Sequence, residues 1–355
     1  MSARGRVLVA MSGGVDSSVA AALLVRQGYD VVGVTMKLFE DGAELPDRPC
    51  CSLDATSDAR RVAELLGIPH YVLNMVDHFS RDVITDFVAE YARGRTPIPC
   101  VRCNTFTKFS DLVTKADGIG AEFVATGHYA RAVDGELHRG ADDNKDQTYF
   151  LWGINRAVVP RLMLPVGEMT KDETRALARD LALPRVADKP ESQEICFVPG
   201  GDYVQILRRE LGEHAPALSP GRIVTTTGEV VGEHDGFARY TVGQRRGLPG
   251  GAADPMYVVA LRPESREVVV GPRDALLGTR LSASDVNWLV ASPPRVGDTV
   301  QVRVRHRAAL APARVTALGE RAVSVEFVDP VSAISPGQSA VLYDGARVLG
   351  GGIID

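Results

Sequence analysis

The stretch VLVAMSGGVDSSVAAALLVRQG, from Val7 to Gly28, constrains the fold more than any other part of the chain. An apolar run breaks into two glycines, an aspartate and three serines, and a second apolar run follows at once. Arg6–Met11 reads as a buried parallel strand. Ser17–Gln27 reads as a helix, with Val19, Ala20, Leu23 and Leu24 at helical spacing and Gly28 placed to stop it. A strand that turns straight into a helix commits the chain to a parallel sheet. The turn then falls at the carboxyl edge of that sheet, where ligands of such folds bind.

The alternation continues. Val31–Met36 is a second strand, Asp54–Leu66 a helix ended by GIP, and YVLNM a third strand. A helix from about Phe79 to Tyr91 follows. Ser110–Asp117 is helical, and EFVATGHYA is a strand running into a loop. The predicted class is therefore α/β, a parallel sheet with helices on both faces. After about Gly200 the pattern changes to period-two runs with Gly/Pro/Asp turns, such as MYVVALRPESREVVVG and TVQVRVRHRAALAPARV. The expected division is residues 1–200, a small central domain at 201–275 and a C-terminal β-barrel at 276–355. At 355 residues with 45% hydrophobic content, two or three cores are expected. No run of about 18 apolar residues predicts a membrane span, and none of the chain reads as a secretory leader. Five cysteines, an odd count, fit reduced, reactive or metal-binding thiols of the cytoplasm better than a disulfide framework. The formal charge of −5 gives no hint of nucleic acid, so RNA would have to meet local basic patches.

SGGVDSS is not a Walker loop. Gly13 and Gly14 would nevertheless let backbone approach phosphate oxygens, Ser12, Ser17 and Ser18 offer hydroxyls, and the helix terminus adds positive potential. Asp16 suits such a site if Mg2+ lies between it and the phosphates. An ordinary glycine–serine turn with Asp as helix cap is the alternative. Cys50 and Cys51 are adjacent and cannot easily share one metal. Cys100 and Cys103 make a C-x-x-C, a redox pair or half of a zinc site, with no second pair to complete it. The flanking prolines place them in a loop, with an accessible thiol. Cys196 alone reads as a small buried hydrophobe. QVRVRHR, continued as a strand, puts Arg303, Arg305 and Arg307 on one face, suited to a phosphate backbone or simply solvated. NKDQTYFL reads either as an RNA contact or as a plain helix start.

The string S-G-G-x-D-S-S after a strand resembles the pyrophosphatase-type loop of adenine-nucleotide α-hydrolase-like enzymes. Several blocks in order narrow this: AMSGGVDSSVAAALL, CCS, TPIPCVRCNTFTKF, ATGHYA, NKDQTYFL, ESQEICFV, YTVGQRRGL and ISPGQSAVLYDG. Together they resemble the tRNA-specific 2-thiouridylase family. The resemblance implies an ATP- and Mg2+-dependent transferase that thiolates the wobble uridine of tRNA through adenylation of the uracil C2 oxygen. By residue, it implies ATP binding at Ala10, Met11, Ser12, Gly13, Gly14, Val15, Asp16 and Ser17, with Met36 and Gly127 on the adenine side. It implies catalysis by Cys103, and a persulfide on Cys196 loaded by a cysteine desulfurase or a relay protein. Ile98, Pro99 and Cys100 would meet the target base, and His128, Lys145, Asp146, Gln147, Arg305, His306 and Gln338 would touch tRNA, as would residues 201–275 and 276–355. Some family members carry Asp where this chain has Cys100. Cys100, Cys103 and Cys196 could therefore form an iron–sulfur ligand set. An adenylating ligase with the same loop and a non-catalytic RNA-binding protein are the competing classes. The first would need no reactive cysteine and the second would release no pyrophosphate.

Overall fold

The structure, a computed structural model, describes residues 4–40, 53–183, 186–187, 195–249 and 255–355. It divides into two compact units. The first comprises Met1–Val83, Cys100–Gly201 and Ala346–Val348; the second comprises Ile84–Pro99, Asp202–Gly345 and Leu349–Asp355.

The first unit is built on a five-stranded parallel sheet. Its strands are β1 (Arg6–Ala10), β2 (Asp30–Lys37), β3 (His70–Asn74), β4 (Phe123–Ala125) and β7 (Leu162–Met163), in the order β3-β2-β1-β4-β7. A hairpin, β5 (Ala130–Val133) and β6 (Glu136–Arg139), interrupts the run between β4 and β7. Strand order reverses at β1, so the crevice beyond its carboxyl end is the switch point where open sheets take ligands. Val7 and Val9 bury one face of β1 against Val19 and Leu24 of helix α1 (Val15–Arg26), Val62 of α2 (Leu53–Leu66) and Ala178 of α3 (Lys171–Asp180). Leu8 alternates to the other face and is equally buried. The helical segment Asp111–Gly118 packs on β1 and β4. Burial on both faces is why β1 reads as an unbroken apolar run.

The second unit holds a four-stranded sheet and a closed barrel. The sheet has the order β10-β11-β8-β9, from β8 (Gly221–Thr225), β9 (Val230–His234), β10 (Tyr257–Arg262) and β11 (Glu267–Gly271). The barrel has the order β12-β15-β14-β13-β16-β17, and β12 pairs back onto β17. Its strands are β12 (Leu277–Trp288), β13 (Thr299–Arg303), β14 (Ala311–Leu318), β15 (Ala322–Ser332), β16 (Ser339–Asp344) and β17 (Arg347–Ile354). Val302, Val315, Val325 and Leu342 fill its interior, and closure removes exposed sheet edges. The expected α/β sheet, small central domain and terminal β-barrel are thus the architecture of the chain.

Candidate functional site

At the end of β1 the backbone turns through residues 11–14, and Gly14 caps α1 with extended backbone and no side-chain hydrogen bond. Gly13 has φ +68°, and a Cβ there would collide with the Ala55 carbonyl of α2, so glycine alone fits. The serines are wired into the turn. Ser12 N–H donates to Ser17 Oγ at 3.1 Å, and Ser17 and Ser18 Oγ donate to the Gly14 carbonyl at 3.2 and 2.8 Å. Ser18 is fully buried, so its hydroxyl braces the loop. The backbone after β4 crosses this helix start so closely that a Cβ on Gly127 would lie 2.5 Å from Ser17 N. The missing Cβ of Gly13 lets the turn pass against α2, and that of Gly127 lets the loop after β4 pack on the first turn of α1, whose leading amides have no partner within the helix. Met36 lies buried on β2.

Asp16 is not the cap of α1. Its two carboxylate oxygens receive Lys171 Nζ at 2.7 and 2.8 Å, and Tyr129 OH donates to Oδ1 at 2.8 Å. Tyr129 OH also lies 3.0 Å from Thr174 Oγ1. Burial, then the neighbouring Asp16 charge, raises the Tyr129 phenol above its ordinary value, so it stays a donor. Lys171 is the first residue of α3, behind the capping box of Thr170 and Glu173. A cation there opposes the helix dipole, so the Asp16 pair must offset that cost.

The C-x-x-C does not lie in a loop. Residues 99–118 are helical throughout, beginning at Pro99, with a wide π-type turn over Cys103–Ser110. Proline suits a helix start because its missing N–H belongs to the unbonded first turn. Cys100 is exposed, Cys103 is 7% exposed and Cys196 is half-buried; all three are thiols. Among the described residues no group of three or more His, Cys, Asp or Glu is arranged to hold a metal ion. The helix turns Cys100 outward and Cys103 inward. Cys50 and Cys51 lie outside the described residues. Beside Cys103, Asn104 Nδ2 donates to the Phe150 carbonyl at 3.1 Å. Asn104 Oδ1 and Thr107 Oγ1 are buried with no hydrogen-bond partner among the described residues.

The same helix reaches the loop that follows β4. The Phe109 and His128 rings lie 5.9 Å apart, and His128 Nδ1 is 2.7 Å from Thr126 Oγ1. Burial first, and the Lys108 charge second, push His128 down to about 3, so the imidazole is neutral.

The remaining expected RNA contacts scatter. Asp146 is buried, with Oδ1 accepting from Thr148 Oγ1 at 2.8 Å and Oδ2 3.4 Å from Arg139 Nε. Gln147 Oε1 accepts from Tyr129 N–H, and Lys145 is half-buried. In the second unit Ile98 is half-buried and Pro99 buried. Gln338 Nε2 donates to the Thr96 carbonyl at 2.9 Å, holding the segment before them. β13 ends at Arg303, which is buried with its guanidinium 5.6 Å from the Tyr343 ring centre. The expected row of Arg303, Arg305 and Arg307 on one strand face therefore does not form. Arg305 donates to the Ala333 carbonyl at 2.9 Å, His306 is half-buried, and Arg307 is exposed.

Residues 5–200 match the family described as tRNA methyl transferase HUP domain. Residues 208–272 match its PRC-barrel domain and residues 278–354 the aminomethyltransferase β-barrel domain. A relative named tRNA-specific 2-thiouridylase MnmA, from Rhodospirillum centenum, is 49% identical over 98% of this chain and 91% of its own length. Relatives of the same name from Carboxydothermus hydrogenoformans and Solibacter usitatus are each 48% identical, covering 99% and 98% of this chain and 98% and 99% of theirs.

The chain belongs to the tRNA-specific 2-thiouridylase family. It is accordingly an enzyme of the transferase class. For a thiouridylase, the residues that sequence reasoning missed are Lys171, Tyr129 and Thr174, which complete the loop around Asp16. The one available signal was MTKDETR, a lysine at a helix start where the dipole disfavours it. Among the described residues no helix is long and apolar enough to cross a membrane.

Proposed function

We propose that this enzyme uses ATP to place sulfur on C2 of the wobble uridine of tRNA. The observation that carries the reading is the convergence, within one compact unit, of a glycine-cleared helix N-terminus at the sheet's switch point and a helix bearing a buried thiol. Phe109 and His128 join the two.

The uracil C2 oxygen is a poor leaving group. Its attack on the α-phosphorus of ATP expels pyrophosphate and leaves an O2-adenylated ring whose C2 is electrophilic. The amides of residues 13–17 and the α1 dipole would stabilise charge developing on the phosphates. Gly127 and Met36 would border the adenine. Asp16 supplies the loop's carboxylate and would hold Mg2+ against the phosphates, with Lys171 beside it to meet an anion. The terminal sulfur of a Cys196 persulfide then attacks C2, and AMP departs with the oxygen. Cys103 thiolate attacks the Cys196 sulfur, the S–S bond to the base breaks, and the base keeps its sulfur as C2=S. A Cys103–Cys196 disulfide remains, and an external thiol reduces it. Loading Cys196 requires a persulfide donor, a desulfurase or its relay. Cys103 is buried, so the chain around it would move to admit the substrate base and its sulfur.

Asn104 Oδ1 and Thr107 Oγ1, buried with no partner among the described residues, support a site that rearranges, because such atoms cost about 1–3 kcal/mol when left unsatisfied. Tyr129, Asp146 and Gln147 belong on this reading to the scaffold of the loop. Residues 201–275 and 276–355, with Arg305, His306 and Gln338, would engage the tRNA body, and Ile98, Pro99 and Cys100 the target base.

The test is incubation with ATP, Mg2+, a desulfurase, cysteine and unmodified tRNA, followed by nucleoside mass spectrometry. Wild type should yield 2-thiouridine. Cys103→Ser and Cys196→Ser should yield none while Cys196→Ser still releases pyrophosphate. Thiolation by both variants would refute the sulfur route.

A further inference from the structure

Phe106 and Arg102 take no part in the chemistry above, yet they flank Cys103 in sequence on the same helix. Phe106 is 43% exposed, the one large aromatic on that helix that the fold leaves open. The Arg102 guanidinium carbon lies 4.5 Å from its ring centre. That guanidinium is anchored: Nε donates to the Asp82 carbonyl at 3.2 Å. Asp82's carboxylate is bonded by Arg81, at 2.7 and 2.9 Å, and also feels the Arg102 charge, so Arg102 is held in place from the Asp82 side. An exposed phenyl alone is ordinary on a protein surface. A phenyl and a fixed guanidinium layered together are a flat, cationic platform, and the spacing of 102 and 106 makes it a rigid feature of one helix face.

We propose that Arg102 and Phe106 form a stacking subsite for a nucleobase of the tRNA, the unpaired base next to the one being thiolated. The proposal rests on the thiolation reading for its ligand. Unstacked bases in single-stranded loops are held on aromatic rings and guanidinium planes, and their phosphates favour a cation at the rim. Charge and shape both suit that occupant: the platform is planar for the base and positive for the backbone beside it. The base immediately 5′ or 3′ to the target must lie close to whatever helix presents the thiol, which is where this platform sits in the chain.

Filter binding of full-length protein to an unmodified tRNA transcript tests this. Phe106→Ala should weaken binding about tenfold, the loss of one base–aromatic stack. Phe106→Trp should bind as wild type does, and Arg102→Lys should fall between. ATP affinity and the melting temperature of Phe106→Ala should match wild type, showing that the helix is intact. An abasic site at one neighbour of the target base should cost wild type the same factor and cost Phe106→Ala nothing further. If Phe106→Ala binds tRNA as tightly as wild type, or if every abasic penalty is undiminished in the variant, the platform is refuted while thiolation stands. If wild type binds no tRNA, the functional reading falls and the platform with it.

Discussion

Lys171 shows how much one side chain can organise. It sits where a helix disfavours positive charge, and its compensation is a two-oxygen pair with Asp16 that Tyr129 shares. Lys171→Met removes the cation and leaves Asp16 with only a phenol. We expect the KM for ATP to rise by about tenfold in pyrophosphate-release assays, since one charge-assisted contact is lost. The protein should remain folded by circular dichroism. His128 belongs to the same scale. Its pKa lies at about 3 in the fold, because burial and then Lys108 disfavour the cation, against 6.5 for the free side chain. Below pH 6.5 the unfolded chain binds the proton and the folded one does not, so stability falls as pH drops towards 3 and is unaffected above 6.5. Denaturant titrations at pH 7.5, 5.5 and 4.5 should show wild type losing stability faster on acidification than His128→Gln. Equal slopes would show that His128 is not neutral in the fold.

The elements around the site are defined by what they cannot accommodate. Gly127 carries no side chain because the strand-end backbone passes against Ser17 N and the Asp16 carbonyl group. Gly127→Ala should therefore force the 126–128 loop away from the start of α1. Misplacement by about 1 Å can cost about 100-fold in rate, and that loss is expected in ATP-dependent pyrophosphate release, with a melting temperature close to that of wild type. Unchanged turnover would mean that the loop does not border the nucleotide. The helix through residues 99–118 teaches the converse lesson. Its proline-flanked start reads as a loop locally, yet Val101, Cys103, Thr107, Phe109 and Leu112 are buried side by side along it. Residues 111–118 pack on β1 and β4, Asn104 bonds the Phe150 carbonyl, and along the helix Cys103 faces in and Cys100 out.

At the scale of the whole chain, the net charge of −5 requires any tRNA contact to be local. Phosphate contacts release counterions, so tRNA affinity should fall linearly in log–log with salt, by about 0.7 to 0.9 per phosphate engaged. Arg305→Ala should lower that slope by about one unit. A flat salt response would place RNA recognition elsewhere. The sequence alone determined the parallel sheet, the glycine turn at its edge, the change to antiparallel barrel and the family, because strand–turn–helix order and period-two alternation are local signals that survive without partners. Only the tertiary structure decided that Asp16 pairs with Lys171 across 155 positions, that Arg303 turns inward onto Tyr343, and that Cys103 faces inward while Cys100 faces out. Each of those depends on which distant surface a side chain meets, and no spacing along the chain encodes that.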